Sequence, residues 1–161
     1  MVTTFDTLPD DSRVWIYQAN RKMSDEEVAE ISKKTEVFLK QWTAHGASLE
    51  AGFEIKYNRF IIIGLNQANA SASGCSIDAS VHFIQSLEKE YDLDLMDKMN
   101  VTYYNGEHIA HKSLSDFRLM AKNRSVSGNT IVFNNLVNTK AEYQEDWEVS
   151  AKDSWHNRFL A

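Results

Sequence analysis

The sequence predicts an α+β fold, in which a ferredoxin-like βαββαβ core over residues 12–106 is followed by a helix and strand extension over residues 107–161. Three observations predict it: runs of β-branched and aromatic residues typical of strands, two amphipathic segments typical of helices, and the order of these segments along the chain. Because the chain has 161 residues and is 43% hydrophobic, we expect a single domain whose extension packs on the core.

The first strand and helix of the core have clear local signals. Residues 13–18, RVWIYQ, are rich in β-branched and aromatic side chains and predict a strand. Ser24 and Glu27 have the spacing of a capping box, and apolar residues then recur at helical intervals. Because glycine suits the left-handed position after a helix, we expect this helix to end at His45-Gly46.

The second half of the core repeats the pattern. Residues 48–57 and 59–66 predict two strands joined tightly at Asn58, the second of them apolar enough to lie centrally in the sheet. A helix from about Ser76 to Tyr91 follows, and residues 98–105 predict the fourth strand. The apolar positions of this second helix predict its buried stripe: Ile77, Val81, Ile84 and Tyr91, with Leu87 at the margin.

The extension has weaker signals. Residues 113–123 predict a helix capped by Ser113 or Ser115, and residues 129–137 predict a strand. Aromatic residues then recur towards the end of the chain at Tyr143, Trp147, Trp155 and Phe159. Since a ferredoxin-like sheet has helices on one face only, the extension either covers the other face or mediates self-association into a homo-oligomer.

Composition excludes several classes of protein. The formal net charge of −6 argues against a nucleic-acid-binding protein, which would present a basic face. One cysteine excludes an internal disulfide and a Cys-x-x-Cys zinc site, and neither a phosphate-binding P-loop nor a dinucleotide fingerprint occurs. No targeting signal or membrane-spanning stretch is evident, so we expect a cytoplasmic protein with a small-molecule or protein partner.

The predicted topology brings several polar loops to one edge of the sheet. The first helix ends, the second begins and the fourth strand finishes at this edge, so His45, Cys75 and the segment from Asn105 to His108 should be neighbours. Arg21 and Lys22, which follow the first strand, should lie at the opposite edge.

Cys75 is the candidate nucleophile at that edge. A cysteine at a helix N-terminus lies at the positive end of the helix dipole, which favours the thiolate. His45 would serve as its base or partner, and Asp78 as an orienting carboxylate. Further expected ligand contacts are Ser73, Gly74, Ser76, Asn105 and His108.

Simpler interpretations compete with this one. The segment SGCSID is also ordinary helix-start sequence, with Ser73 or Ser76 as the cap and Cys75 as a small, semi-buried residue. Asp78 and His82 have the spacing to chelate a metal, but such a pair is usually plain helix surface. We therefore expect neither a metal nor a cofactor. The alternative function is a non-catalytic binding or assembly module that uses the aromatic C-terminal region.

One resemblance accompanies these patterns. The run from WTAHGASLEAGFEIKYNRFIIIGLN to SGCSIDASV resembles a functionally uncharacterised family of small bacterial proteins that carry the label ABC-transporter ATPase. The resemblance spans most of the chain, and SGCSID together with the HG pair is its most specific part. It implies no catalytic residues, and the P-loop that an ABC ATPase needs does not occur in this sequence.

Overall fold

The computed structural model describes residues 1–68 and 70–160. In this part of the chain the fold contains four α-helices and three antiparallel sheets, which confirms the predicted α+β class. The chain forms two compact units: unit 1 comprises residues 1–96 with 138–141, and unit 2 comprises residues 97–137 with those from 142 onward. The boundary after residue 96 comes earlier than the predicted start of the extension at residue 107. Whether the two units form the single domain expected from the sequence stays a prediction.

Unit 1 is a three-stranded antiparallel sheet with two long helices. Its elements in chain order are β1 (Arg13–Gln18), α1 (Asp25–Gln41), β2 (Thr43–Ala44), β3 (Ala47–Ser48), β4 (Glu50–Lys56), β5 (Phe60–Asn66) and α2 (Gly74–Tyr91). The sheet order is β1, β5, β4, so β5, which is apolar up to Leu65, lies in the centre as predicted. Alternate residues of β5 belong to the main hydrophobic core of the unit: Ile61, Ile63 and Leu65, which are at most 1% exposed.

The predicted start of α1 is confirmed, but its predicted end is wrong. Ser24 and Glu27 form a complete capping box at the N-terminus. The helix ends at Gln41, and His45-Gly46 instead forms the two-residue turn of the short β2–β3 hairpin. Both turn residues have positive φ, as tight hairpin turns require. A glycine after an apolar helical stretch therefore marked a hairpin turn and not a helix end.

The buried face of α2 also differs from the prediction. Its buried residues are Ser76, Ser80, Ile84 and Leu87, whereas Ile77 is 38% exposed. The indole of Trp42 donates a hydrogen bond of 2.8 Å to the carbonyl of Ser76 and turns this side of the helix inward. Small serine side chains allow such a close approach, so tertiary contact overrides the apolar pattern in the first two turns.

The opposite face of the unit 1 sheet is covered by the start of the chain. A Cβ atom at Gly52 would lie 2.7 Å from the carbonyl oxygen of Thr3, so only glycine permits this approach. Lys140 holds the same segment, because its buried ammonium donates hydrogen bonds to the carbonyls of Asp6 and Leu8 at 2.8 and 2.7 Å.

The ferredoxin-like topology is not confirmed. The order β1, β5, β4 is that of the first three strands of such a sheet, and the fourth would lie beside β1. The predicted fourth strand instead pairs within a sheet of unit 2. Along β1, Arg13 forms a bridge with Thr139, and Val14 N–H bonds to the carbonyl of Asn138. Residues distant in sequence therefore occupy this edge.

Unit 2 has a four-stranded antiparallel sheet in the order β7, β6, β8, β9. Its elements are β6 (Asn100–Asn105), β7 (His108–Ser113), α3 (Leu114–Lys122), β8 (Ile131–Phe133) and β9 (Glu148–Ser150); α4 (Lys140–Asp146) begins in unit 1, and a 3-10 helix covers Trp155–Phe159. The expected cap of α3 by Ser113 is confirmed, since its hydroxyl accepts a hydrogen bond from Asp116 N–H. The strand β7 was not foreseen, and the predicted strand over 129–137 is shorter.

The core of unit 2 is rich in aromatic rings. Phe117 of α3 is fully buried and packs against Tyr103 of β6, with ring centroids 5.9 Å apart. Trp147 is 3% exposed and contacts both Phe133 and Tyr143 at 4.9 Å. Much of the aromatic C-terminal region is therefore core. Within residues 1–68 and 70–160, none of the helices has the length and apolar composition needed to cross a membrane.

Candidate functional site

The candidate site in unit 1 is the Cys75 turn, defined as Ser73–Ser76. Ser73 is the N-cap of α2 and accepts a hydrogen bond of 3.1 Å from Ser76 N–H, while Ser73 N–H donates to the hydroxyl of Ser76 at 2.7 Å. These reciprocal bonds form a capping box made of two serines. Both serines therefore hold the shape of the turn, as the capping interpretation predicts.

The thiol of Cys75 is accessible. The side chain is exposed on the second residue of an 18-residue helix. Among the described residues, neither Gly74 N–H nor Cys75 N–H has an acceptor, as is usual for the first N–H groups of a helix. A Cβ atom at Gly74 would meet nothing within 4 Å. The turn thus offers a thiol, two N–H donors without an acceptor in the described chain, and open space to an incoming molecule.

Buried aromatic packing holds the Cys75 turn in place. The hydrogen bond from the Trp42 indole reaches the carbonyl of Ser76 inside this turn. Trp42 is 3% exposed and packs between Trp15 and Phe38, with centroid distances of 5.8 and 5.6 Å. One buried ring therefore joins the end of α1 to the start of α2 and anchors the backbone around the thiol to the core of unit 1.

Two of the other predicted residues of unit 1 lie on the same helix as Cys75, and the third lies in the β2–β3 turn. Asp78 and His82 are exposed on α2, three and seven residues after Cys75, and His45 is exposed in the β2–β3 turn. In the part of the chain that the structure describes, no hydrogen bond joins Cys75 to His45 or Asp78. The same part contains no group of three or more His, Cys, Asp or Glu side chains that could hold a metal ion.

Asn105 and His108 belong to unit 2. They face each other across the β6–β7 hairpin, whose turn includes Gly106 at a φ of +65°. Both side chains are exposed. They were expected near Cys75 only because their strand was assigned to the same sheet, which the pairing does not support. Their proximity to the thiol stays a prediction.

The basic pair after β1 lies at the far end of α2, as predicted. Arg21 forms a two-pronged ion pair with Glu27 at 2.9 and 2.8 Å and donates a third hydrogen bond to the carbonyl of Tyr91, the last residue of α2. The hydrogen bonds from Arg21 lower the pKa of Glu27 to about 2. This arrangement stabilises the C-terminus of α2 and is remote from Cys75 along the helix.

Sequence reasoning missed one buried polar group in unit 2. His156 is fully buried, and burial lowers the pKa of its imidazole to about 4. Its Nδ1 lies 2.6 Å from the hydroxyl of Ser154, whereas its Nε2 has no hydrogen-bond partner among the described residues. The signal in the sequence is the pattern Ser-x-His within an aromatic segment.

No protein-family model, curated protein or solved structure matches this chain.

Proposed function

We propose that the Cys75 turn is a reactive-thiol site, at which Cys75 attacks a small electrophilic ligand as a thiolate. The observation that carries the proposal is the exposed thiol on the second residue of a long helix, beside two N–H groups that have no acceptor in the described chain. The positive end of the helix dipole and free N–H groups stabilise negative charge, which favours the nucleophilic form of a thiol.

Two further residues have supporting roles in this proposal. His45 acts as the base or partner of the thiol, in which case the exposed β2–β3 turn must bring its imidazole to Cys75. Asp78 lies one helical turn after Cys75, where its carboxylate orients the bound ligand. Ser73, Gly74 and Ser76 shape the turn. The thiol proton passes to His45 or to solvent, and the sulfur then bonds to an electrophilic carbon of the ligand. The electron pair of the bond that breaks at this carbon moves onto a ligand atom, whose negative charge the N–H groups of Gly74 and Cys75 receive.

The setting of this activity is part of the proposal. We place the protein among small bacterial proteins of the family that it resembles around SGCSID, acting in the cytoplasm on a small molecule or a protein partner. A net charge of −6 supports the exclusion of nucleic acid as that partner.

The test compares one thiol in two surroundings. The folded protein and a synthetic peptide of residues 71–80 have the same local sequence, but only the protein has the helix. Since Cys75 is exposed in the protein, the reagent can reach the thiol in both molecules. We expect iodoacetamide, a neutral reagent, to react about two- to fivefold faster with the protein at pH 7, the effect of a helix terminus worth about 0.3–1 kcal/mol. An equal or slower rate overturns the proposal.

Two variants separate the supporting roles. Asp78→Asn removes a negative charge one turn from the thiol, so we expect the rate to rise by about 1.5- to 2-fold. His45→Ala lowers the rate if His45 is the base and leaves it unchanged if Cys75 acts through the helix terminus alone. His82→Ala, a change to another exposed histidine further along α2, is the matched control and should leave the rate unchanged.

The alternative function, an assembly module built from the C-terminal aromatic residues, has less support. Tyr143 and Trp147 are buried within unit 2, so their substitution should lower stability and not change assembly alone. Trp155 and Phe159 are half-buried and are the aromatic residues left for such a role. Light scattering on the Trp155→Ala variant tests this role. A change of oligomeric state in a folded variant supports the assembly module.

A further inference from the structure

His156 lies at the centre of the last folded segment of unit 2. Its ring stacks on Trp155, with centroids 3.8 Å apart and planes 26° apart, and meets the edge of Phe117 at 5.9 Å. The residue has no exposed surface. A histidine enclosed in this way connects the 3-10 helix Trp155–Phe159 to helix α3.

The hydrogen bonds of His156 are incomplete. The Ser154 hydroxyl donates to the carbonyl of Ala151 at 3.3 Å and accepts from the His156 backbone N–H at 3.2 Å. The hydroxyl also lies 2.6 Å from the imidazole Nδ1, and either of these two atoms is the donor according to the tautomer of the ring. In either tautomer Nε2 is buried with no partner among the described residues, and the neighbouring Trp155 Nε1 has none either.

Charged residues of both signs lie on the elements around this segment. Helix α3 contributes Asp116, Arg118 and Lys122, the short 3-10 helix at 151–153 contributes Lys152 and Asp153, and the segment itself contributes Arg158. The guanidinium carbons of Arg118 and Arg158 lie 5.7 and 5.9 Å from the ring of Phe159. Tyr103, which packs on Phe117, is a further titratable group. Among the described residues His156 forms no ion pair with a carboxylate.

We propose that His156 is a pH-sensitive latch, which keeps the segment Ser154–Phe159 closed on helix α3 while neutral and releases it when protonated. A charged imidazole in this position would be buried without a counter-ion, and such a charge is costly. Release returns the ring to water and uncovers Phe117 and Trp155. Acidification would thereby expose an aromatic surface that is packed away at neutral pH.

The burial of His156 determines whether acid opens or closes the segment and over which pH range. Burial lowers the pKa of His156 from its ordinary value of 6.5 to about 4 in the closed segment. The open segment therefore binds the proton more tightly, and stability that is complete above pH 6.5 is lost progressively as the pH falls towards 4. Between pH 7.5 and 5 the equilibrium constant for opening should rise by about 30-fold.

The experiment is a pH titration of the isotope-labelled full chain followed by NMR. We expect the backbone signals of residues 154–159 and the indole N–H of Trp155 to change together between pH 6.5 and 4, before signals from unit 1. The variant His156→Gln is uncharged at every pH and should abolish this change, whereas His82→Gln, at an exposed histidine, should preserve it.

Two results would overturn the latch. One is a segment that stays closed to below pH 4 in the wild-type protein. The other is opening over the same pH range in a folded His156→Gln variant. If His156→Gln does not fold, the imidazole signals of the wild-type protein decide: His156 must titrate together with the opening, and titration near pH 6.5 without opening contradicts the proposal.

Discussion

The ionisable side chains of the two units have different partners. In unit 1 the helices carry ion pairs: Arg21, before α1, pairs with Glu27 of α1, and Lys34 of α1 pairs with Glu90 of α2. In unit 2, Arg118 and Arg158 lie over an aromatic ring, and a neutral histidine is fully buried. The difference implies that acid acts on unit 1 by protonating a paired carboxylate and on unit 2 by charging a buried imidazole that has no counter-ion among the described residues.

The largest expected effect concerns the aromatic core that distinguishes unit 2. Phe117→Ala removes a fully buried ring that contacts Tyr103 and His156, so we expect a loss of about 3–5 kcal/mol in the free energy of unfolding. Leu119→Ala on the same helix is the control, because Leu119 is 57% exposed, and should change stability by less than about 0.5 kcal/mol. Urea denaturation measures both. Similar losses for the two variants would mean that α3 does not pack as described.

A smaller effect on stability is expected from the buried ammonium group of Lys140 in unit 1. Lys140→Met leaves the carbonyls of Asp6 and Leu8 without their donor, so we expect a loss of about 1–3 kcal/mol. Lys40→Met is the matched control, since Lys40 is exposed and 3.7 Å from Glu36 across one helical turn. It should cost no more than about 0.5 kcal/mol. Thermal or urea unfolding compares the two, and equal losses would contradict the anchoring role.

The contrast in acid sensitivity can be measured directly. The pKa of Glu27 is about 2, below its ordinary value of 4.5, because Arg21 donates hydrogen bonds to it. Its contribution to stability is therefore complete above pH 4.5 and is lost as the pH falls towards 2. Unit 2 should respond earlier, between pH 6.5 and 4. In Glu27→Gln the fall in the free energy of unfolding between pH 4.5 and 2 should be absent. Glu26→Gln, which changes an exposed neighbour, should retain this fall. If unit 1 lost stability at a higher pH than unit 2, the proposed difference between the two units would be contradicted.

The smallest expected effect distinguishes two glycines of unit 1. Gly74→Ala adds a methyl group to open space at the start of α2, so we expect a gain of about 0.4–1 kcal/mol. Gly52→Ala should instead lower stability, because its Cβ would lie 2.7 Å from a backbone oxygen. Chemical denaturation gives the sign in each case. A loss for Gly74→Ala would indicate a contact at the Cys75 turn that the structure does not contain.

Much of the local structure could be predicted because its signals act over a few residues. Strand β1, the capping box of α1 and the cap of α3 follow from neighbouring side chains and match the structure. The end of α1 was mispredicted because glycine after a helix and glycine in a hairpin turn look alike in sequence. The accessible Cys75 turn was located correctly on α2, whereas its relation to His108 depended on a strand pairing that does not form.

By itself the sequence determined the α+β class, the order of the first strands and helices, and a thiol at the start of a long helix. Tertiary structure alone decided which sheet strand β6 joins, which face of α2 is buried, and that His156 is enclosed. The physical reason is distance along the chain. Caps and alternation depend on residues a few positions apart, but strand partners and the burial of a ring depend on residues tens of positions away.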